Sequence, residues 1–165
     1  MKDTNSQAAN FQQQLKEQLI NLGISIDEKR SFEGESKRLK FYSLEDHKEW
    51  QGQDPKEQLQ RISQTLHTLF LIDWRGNTTV HKKNEEGTYD EIEFSRTTEN
   101  FDTEYNDERV LLYQIAWNMN SQVLYAVNLL EAGENLRVYG LENDGSEVVM
   151  EYYSIMDFLN ALTKK

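Results

Sequence analysis

The chain has 165 residues, 18 Lys and Arg against 29 Asp and Glu, and no cysteine. That length suits one domain with a sizeable core, and the missing cysteines remove disulfides, thiolate metal sites and cysteine nucleophiles together. A net charge of −11, a mean hydropathy of −0.81 and the lack of any long apolar run argue against a membrane span and against direct binding of nucleic acid or anionic lipid. No apolar segment follows Met1-Lys2-Asp3, so the expected setting is the cytoplasm.

Residues 1–10 are polar and are expected to form a flexible N-terminal segment, with residues 11–165 forming a single α+β domain. Phe11, Leu15, Leu19 and Leu22 recur at helical spacing, and Gly23 stands where a helix C′ residue belongs, so an amphipathic helix is expected there. Asp27 to Arg38 reads as a charged loop, Leu39 to Tyr42 as a short strand and Leu44 to Trp50 as a short helix. Asp54-Pro55-Lys56-Glu57 opens a clearer helix, because Asp54 can cap it and Pro55 suits its first position. Leu59, Ile62 and Leu66 mark its buried stripe to about His67. Leu69 to Trp74 then predicts a strand, paired through Arg75-Gly76-Asn77 with Thr78 to His81 as a hairpin.

Glu85-Glu86-Gly87 predicts a turn, and Tyr89 to Phe94 a strand with Ile92 and Phe94 inward and Glu91 and Glu93 outward. Thr97 to Glu108 reads as an acidic loop. Beyond it, Val110–Trp117, Val123–Val127, Leu136–Tyr139 and Val148–Tyr152 predict an antiparallel meander, broken at Asn118 to Ser121, at Gly133 and at Asn143-Asp144-Gly145. Ser154, with Asp157 three residues on, caps a closing helix over about 155–163 whose apolar face is Ile155, Phe158, Leu159 and Leu162. The expected fold is thus an antiparallel sheet of six or seven strands with three or four packed helices.

No pattern of residues spells out a chemistry. His47, His67 and His81 are far apart and outside any zinc motif, and the serines lack a nucleophile elbow. The glycines form no phosphate-cradling loop, and Asn143-Asp144-Gly145 lacks the spaced ligands of a calcium loop. No metal, no cofactor and no catalysis are therefore expected, although carboxylates are numerous enough that a hydrolase built from a pair of them is a third reading behind two binding readings.

Charge is the stronger pointer. Residues 1–72 carry 10 basic and 11 acidic side chains, whereas residues 73–165 carry 8 and 18. The most acidic stretch holds Glu85, Glu86, Asp90, Glu91, Glu93, Glu99, Asp102, Glu104, Asp107 and Glu108, with Tyr89, Phe101 and Tyr105 among them and Arg96 as its one cation. Interfaces pair aromatic anchors with a charged rim, so these thirteen residues are the expected docking surface for a basic protein. The plain alternative is a solvated acidic face. Trp74 and Trp117, at strand ends, are expected to pack in the core.

Leu124 to Leu129, Glu134 to Leu141, Asn143 to Glu147 and Ser154 to Leu159 together resemble the SUKH superfamily. In that family an apolar strand, a V-Y strand, an Asn/Asp-Gly turn and a final S-x-x-(D/E)-F-L helix follow in this order. The resemblance covers about residues 110–162, and the family's N-terminal L-P-x-D-(Y/F) segment has no counterpart here. It implies helices packed on an antiparallel sheet and a non-enzymatic role. In bacteria that role is most often immunity against a toxin, frequently a nuclease. The expected function is accordingly a cytoplasmic immunity protein that binds a basic toxin domain, with an acidic regulatory protein-interaction module as the alternative.

Overall fold

The computed structural model describes residues 4–29, 68–69, 71–73, 76, 78–94, 100–128 and 136–164. Helix α1 spans Thr4–Asn21, so residues 4–10 already belong to it. Phe11, Leu15, Leu19 and Leu22 are its buried stripe, and Gly23 ends it. With Gly23 at φ 82°, its N–H reaches the carbonyl of Ile20 and that of Ile24 reaches Leu19. This is a Schellman motif, which only a residue tolerant of left-handed backbone closes cheaply.

Eight strands follow among the described residues: β1 (Thr79–Lys83), β2 (Tyr89–Phe94), β3 (Asn100–Tyr105), β4 (Glu108–Asn118), β5 (Leu124–Asn128), β6 (Val138–Leu141), β7 (Val148–Tyr152) and β8 (Leu162–Thr163). A second helix, α2 (Ile155–Asn160), separates β7 from β8. All pairings are antiparallel, in the order β7-β6-β5-β4-β2-β1-β8. β3 shares one edge of β4 with β2: β3 takes the stretch from Glu108 to Tyr113 and β2 the stretch from Ala116 to Asn118.

The sheet must curl. Laid flat, seven strands would put β7 and β8 about 29 Å apart. The six-residue α2 and its short flanks reach only roughly 20 Å. The curl closes on Phe158, whose ring lies 4.8 Å from Tyr125 on β5, 5.3 Å from Tyr152 on β7 and 6.2 Å from Phe94 on β2. Ser154 caps α2 as its spacing predicted, accepting the Asp157 N–H at 3.1 Å. This face, with the stripe of α1 upon it, is the main core.

The opposite face carries a smaller cluster of Val110, Leu112, Leu124, Ala126, Tyr139 and Leu141, against which Trp117 packs. A bulge between Gln114 and Ala116 makes Ile115 and Ala116 both face the main core and turns Trp117 to the other side.

Three expectations from sequence need correction. The described residues between 69 and 73 form no strand paired with β1: Leu69 is helical, Ile72 makes a single bridge to Ile26, and β1 lies between β2 and β8. The acidic loop expected over 97–108 is not one over its described part, because 100–105 form β3 and Glu108 already opens β4. The closing helix stops at Asn160, and Leu162 leaves it to pair with Lys82. The expected elements over 39–42, 44–50 and 55–67, and Trp74, lie outside the described residues. No described helix is long and apolar enough to cross a membrane.

Candidate protein-docking surface

The meander brings three turns to one end of the sheet. Ile92 pairs with Asn118, so β2 starts where β4 finishes. Leu124 pairs with Trp117 and with Leu141, which sets the β4–β5 turn beside the β6–β7 turn. Residues 84–88, 119–122 and 143–145 are therefore neighbours, and Asn143 Nδ2 touches Gln122 Oε1 at 3.3 Å. Seven carboxylates gather here, on Glu85, Glu86, Asp90, Glu91, Glu142, Asp144 and Glu147, with Lys82 and Lys83 on β1 as the adjacent cations.

Between the first two turns lies an open cleft of about 540 Å³, lined by Asn84, Glu85, Glu86, Thr88, Tyr89, Asp90, Asn120 and Ser121. Asn84 shapes its near wall: its Oδ1 accepts the N–H groups of Glu86 and Thr88, and its Nδ2 donates to Asp90 at 3.0 Å. Gly87, at φ 85°, lets that turn close. Asn118 shapes the far wall, its Oδ1 accepting from Asn120 and Ser121. Asn120 Oδ1 in turn accepts the Glu91 N–H at 2.8 Å, and the Met119 N–H reaches the Glu91 carbonyl at 2.9 Å. Tyr89 stands at the rim 54% exposed, edge-on to His81 at 6.4 Å. At the third turn the Ser146 hydroxyl holds the Asp144 carboxyl below the usual carboxylate range, which keeps that edge charged.

The acidic stretch does not form one surface. Glu85, Glu86, Tyr89, Asp90 and Glu91 belong to the cleft end, Asp90 half-buried and the other four exposed. Glu93, half-buried, sits further along β2 opposite Trp117. Phe101 and Asp102 lie on β3, and Glu99 is outside the described residues. Glu104, Tyr105, Asp107 and Glu108 form the tip of the β3–β4 hairpin, at the opposite end of the 11-residue β4. The two ends are about 30 Å apart at strand rise.

At that tip Asn106 and Asp107 both have positive φ, 53° and 63°, as a two-residue hairpin turn requires. The Tyr105 hydroxyl donates to Glu151 Oε2 at 2.8 Å, and its ring stands edge-on to Tyr139 at 5.5 Å. Arg137 donates to the same carboxylate at 3.2 Å and lies over Tyr139. The hydrogen bond to Glu151, and then burial, raise the Tyr105 phenol above its ordinary value. Tyr105 thus holds the hairpin to β7 through an internal contact, whereas Tyr89 presents its ring to solvent.

Asn84, Asn118, Asn120 and Ser121, which frame the cleft, carry no charge; Asn118, Asn120 and Ser121 were legible in sequence only as a break between strands, and Asn84 was not singled out. The signal that points to them is their Asx-turn chemistry at two ends brought together by an antiparallel meander. Among the described residues no group of three or more His, Asp or Glu is placed to hold a metal ion. No family model, no curated protein and no solved structure matches the chain.

Proposed function

We propose that this chain is a non-catalytic immunity protein of the SUKH kind, which binds a basic toxin domain in the cytoplasm and neutralises it stoichiometrically. An α+β architecture with three or four helices belongs to the same proposal. The observation that carries it is the cleft end of the sheet. There an exposed tyrosine stands beside an open cleft lined by Glu85, Glu86 and Asp90, on a sheet end that carries seven carboxylates in all. A nuclease presents a basic active site to its phosphodiester substrate. An acidic surface with an aromatic anchor fits such a site and repels the nucleic acid itself. The same charge disfavours anionic membranes as a partner.

The test is growth of cells expressing the toxin domain encoded beside this chain, with and without the chain, together with isolation of the complex. Restored growth and a one-to-one complex are expected. A regulatory module with a cellular partner would use the same surface. That reading is favoured if the neighbouring product is harmless and a stable complex forms with a basic host protein instead. Turnover of a substrate by the purified chain would overturn both.

A further inference from the structure

Asn84 and Asn118 each commit their side-chain oxygen before they meet Asp90. Asn84 Oδ1 accepts the N–H groups of Glu86 and Thr88 at 3.0 Å, and Asn118 Oδ1 accepts those of Asn120 and Ser121 at 3.0 Å. With the oxygens fixed, the two NH₂ groups can only point the other way. Both reach Asp90: Asn84 Nδ2 lies 3.0 Å from Oδ1, while also donating to Thr88 Oγ1 at 2.7 Å, and Asn118 Nδ2 lies 3.1 Å from Oδ2. Position 90 therefore meets donors from two turns remote in sequence. A carboxylate accepts on both atoms, whereas an amide of the same shape sets one donor against a donor. Asn118 has no easy escape to water, because it is 2% exposed.

We propose that Asp90 is the positioning residue of the cleft: its carboxylate clasps the β1–β2 and β4–β5 turns into one unit. The proposal takes the use of the cleft from the docking reading, but the clasp is measured on the free protein. Lys82 is the register partner of Asp90 on β1, so a simple charge role for Asp90 has to be separated from a hydrogen-bonding one.

A reciprocal exchange of residues separates them. In Asp90→Asn the amide keeps one acceptor for the buried Asn118 and turns its NH₂ toward Asn84. The amides of Glu86 and Thr88 should then exchange with solvent roughly tenfold faster, and those of Asn120 and Ser121 little faster. Adding Asn84→Asp restores a donor–acceptor pair between positions 84 and 90 and returns the net charge to its original value. All four amides should then exchange within about twofold of wild type. Asp90→Ala should loosen both turns together. If Asp90→Asn leaves the four amides unchanged, there is no clasp. If the paired substitution fails to restore Glu86 and Thr88, hydrogen-bond matching at position 90 is not what joins the turns. Exchange is read without any toxin, so failure of the docking reading leaves this result standing, and the converse holds.

Discussion

The two ends of β4 carry much the same chemistry, carboxylates around a tyrosine, and use it in opposite ways. At the cleft end Tyr89 faces solvent and Glu85, Glu86 and Asp90 line the opening. At the hairpin tip Tyr105 turns inward, its hydroxyl on Glu151 and its ring on Tyr139. What lies opposite each strand end decides which tyrosine is available. Among the described residues the start of β2 is neighboured by turns, whereas the β3–β4 tip reaches Tyr139 on β6 and Glu151 on β7. Charge and aromatic content locate both patches, and only the topology tells them apart.

The largest effect should come from the core that both ends share. Phe158→Ala removes the ring that gathers β2, β5 and β7, and it should cost about 3–5 kcal/mol in denaturant unfolding. Amides at both ends should lose protection together. Loss confined to one end would mean that the ends are separate folding units.

The next effect sharpens the contrast between the tyrosines. Tyr105→Phe deletes the bond to Glu151 and should lower the melting temperature, while Tyr89→Phe should leave it unchanged. Equal melting temperatures for the two variants would remove the distinction between latch and rim.

Alkaline pH should weaken the buried side of the same comparison. Burial pushes the Tyr152 phenol up to about 12 from an ordinary value of 10.0, and burial also raises Tyr125. The Glu151 hydrogen bond raises Tyr105. A phenol with a raised folded pKa favours the folded state while it is neutral. That stabilisation is complete below pH 10.0 and is lost as pH climbs to about 12. Thermal unfolding followed against pH should be level on the approach to pH 10.0 and fall beyond it. Titration of these phenols at their ordinary value in the folded protein would contradict the packing around them.

Much of the scaffold was legible in sequence because local chemistry and tertiary position agree there. The β4–β7 meander alternates or runs apolar between Asn, Asp and Gly turns, and Ser154 caps α2 as its spacing requires. β3 was missed because Asn100 to Tyr105 is too polar to stand out, although Phe101, Thr103 and Tyr105 do alternate with polar residues. β8 has two residues and exists only through its partner β1, so no local signal announces it. The candidate site was half legible. Glu85, Glu86, Asp90 and Glu91 were found by counting, while Glu142, Asp144 and Glu147 were not, and the amides that shape the cleft are set by pairing between β2 and β4, which turn chemistry alone does not reveal.

The most direct measurement of docking at the cleft end is the association rate with the basic toxin domain for two matched charge variants at low and high salt. One carries Glu85→Gln, Glu86→Gln and Glu91→Gln, and the other carries Glu104→Gln, Asp107→Asn and Glu108→Gln. Exposed carboxylates steer encounter over a screening length of about 8–10 Å, well short of the distance between the ends. The first variant should associate roughly tenfold more slowly at low salt and lose much of that difference at high salt, while the second stays within about twofold of wild type. Slower association of the second variant with the first unchanged would place the partner on the hairpin tip and contradict docking at the cleft.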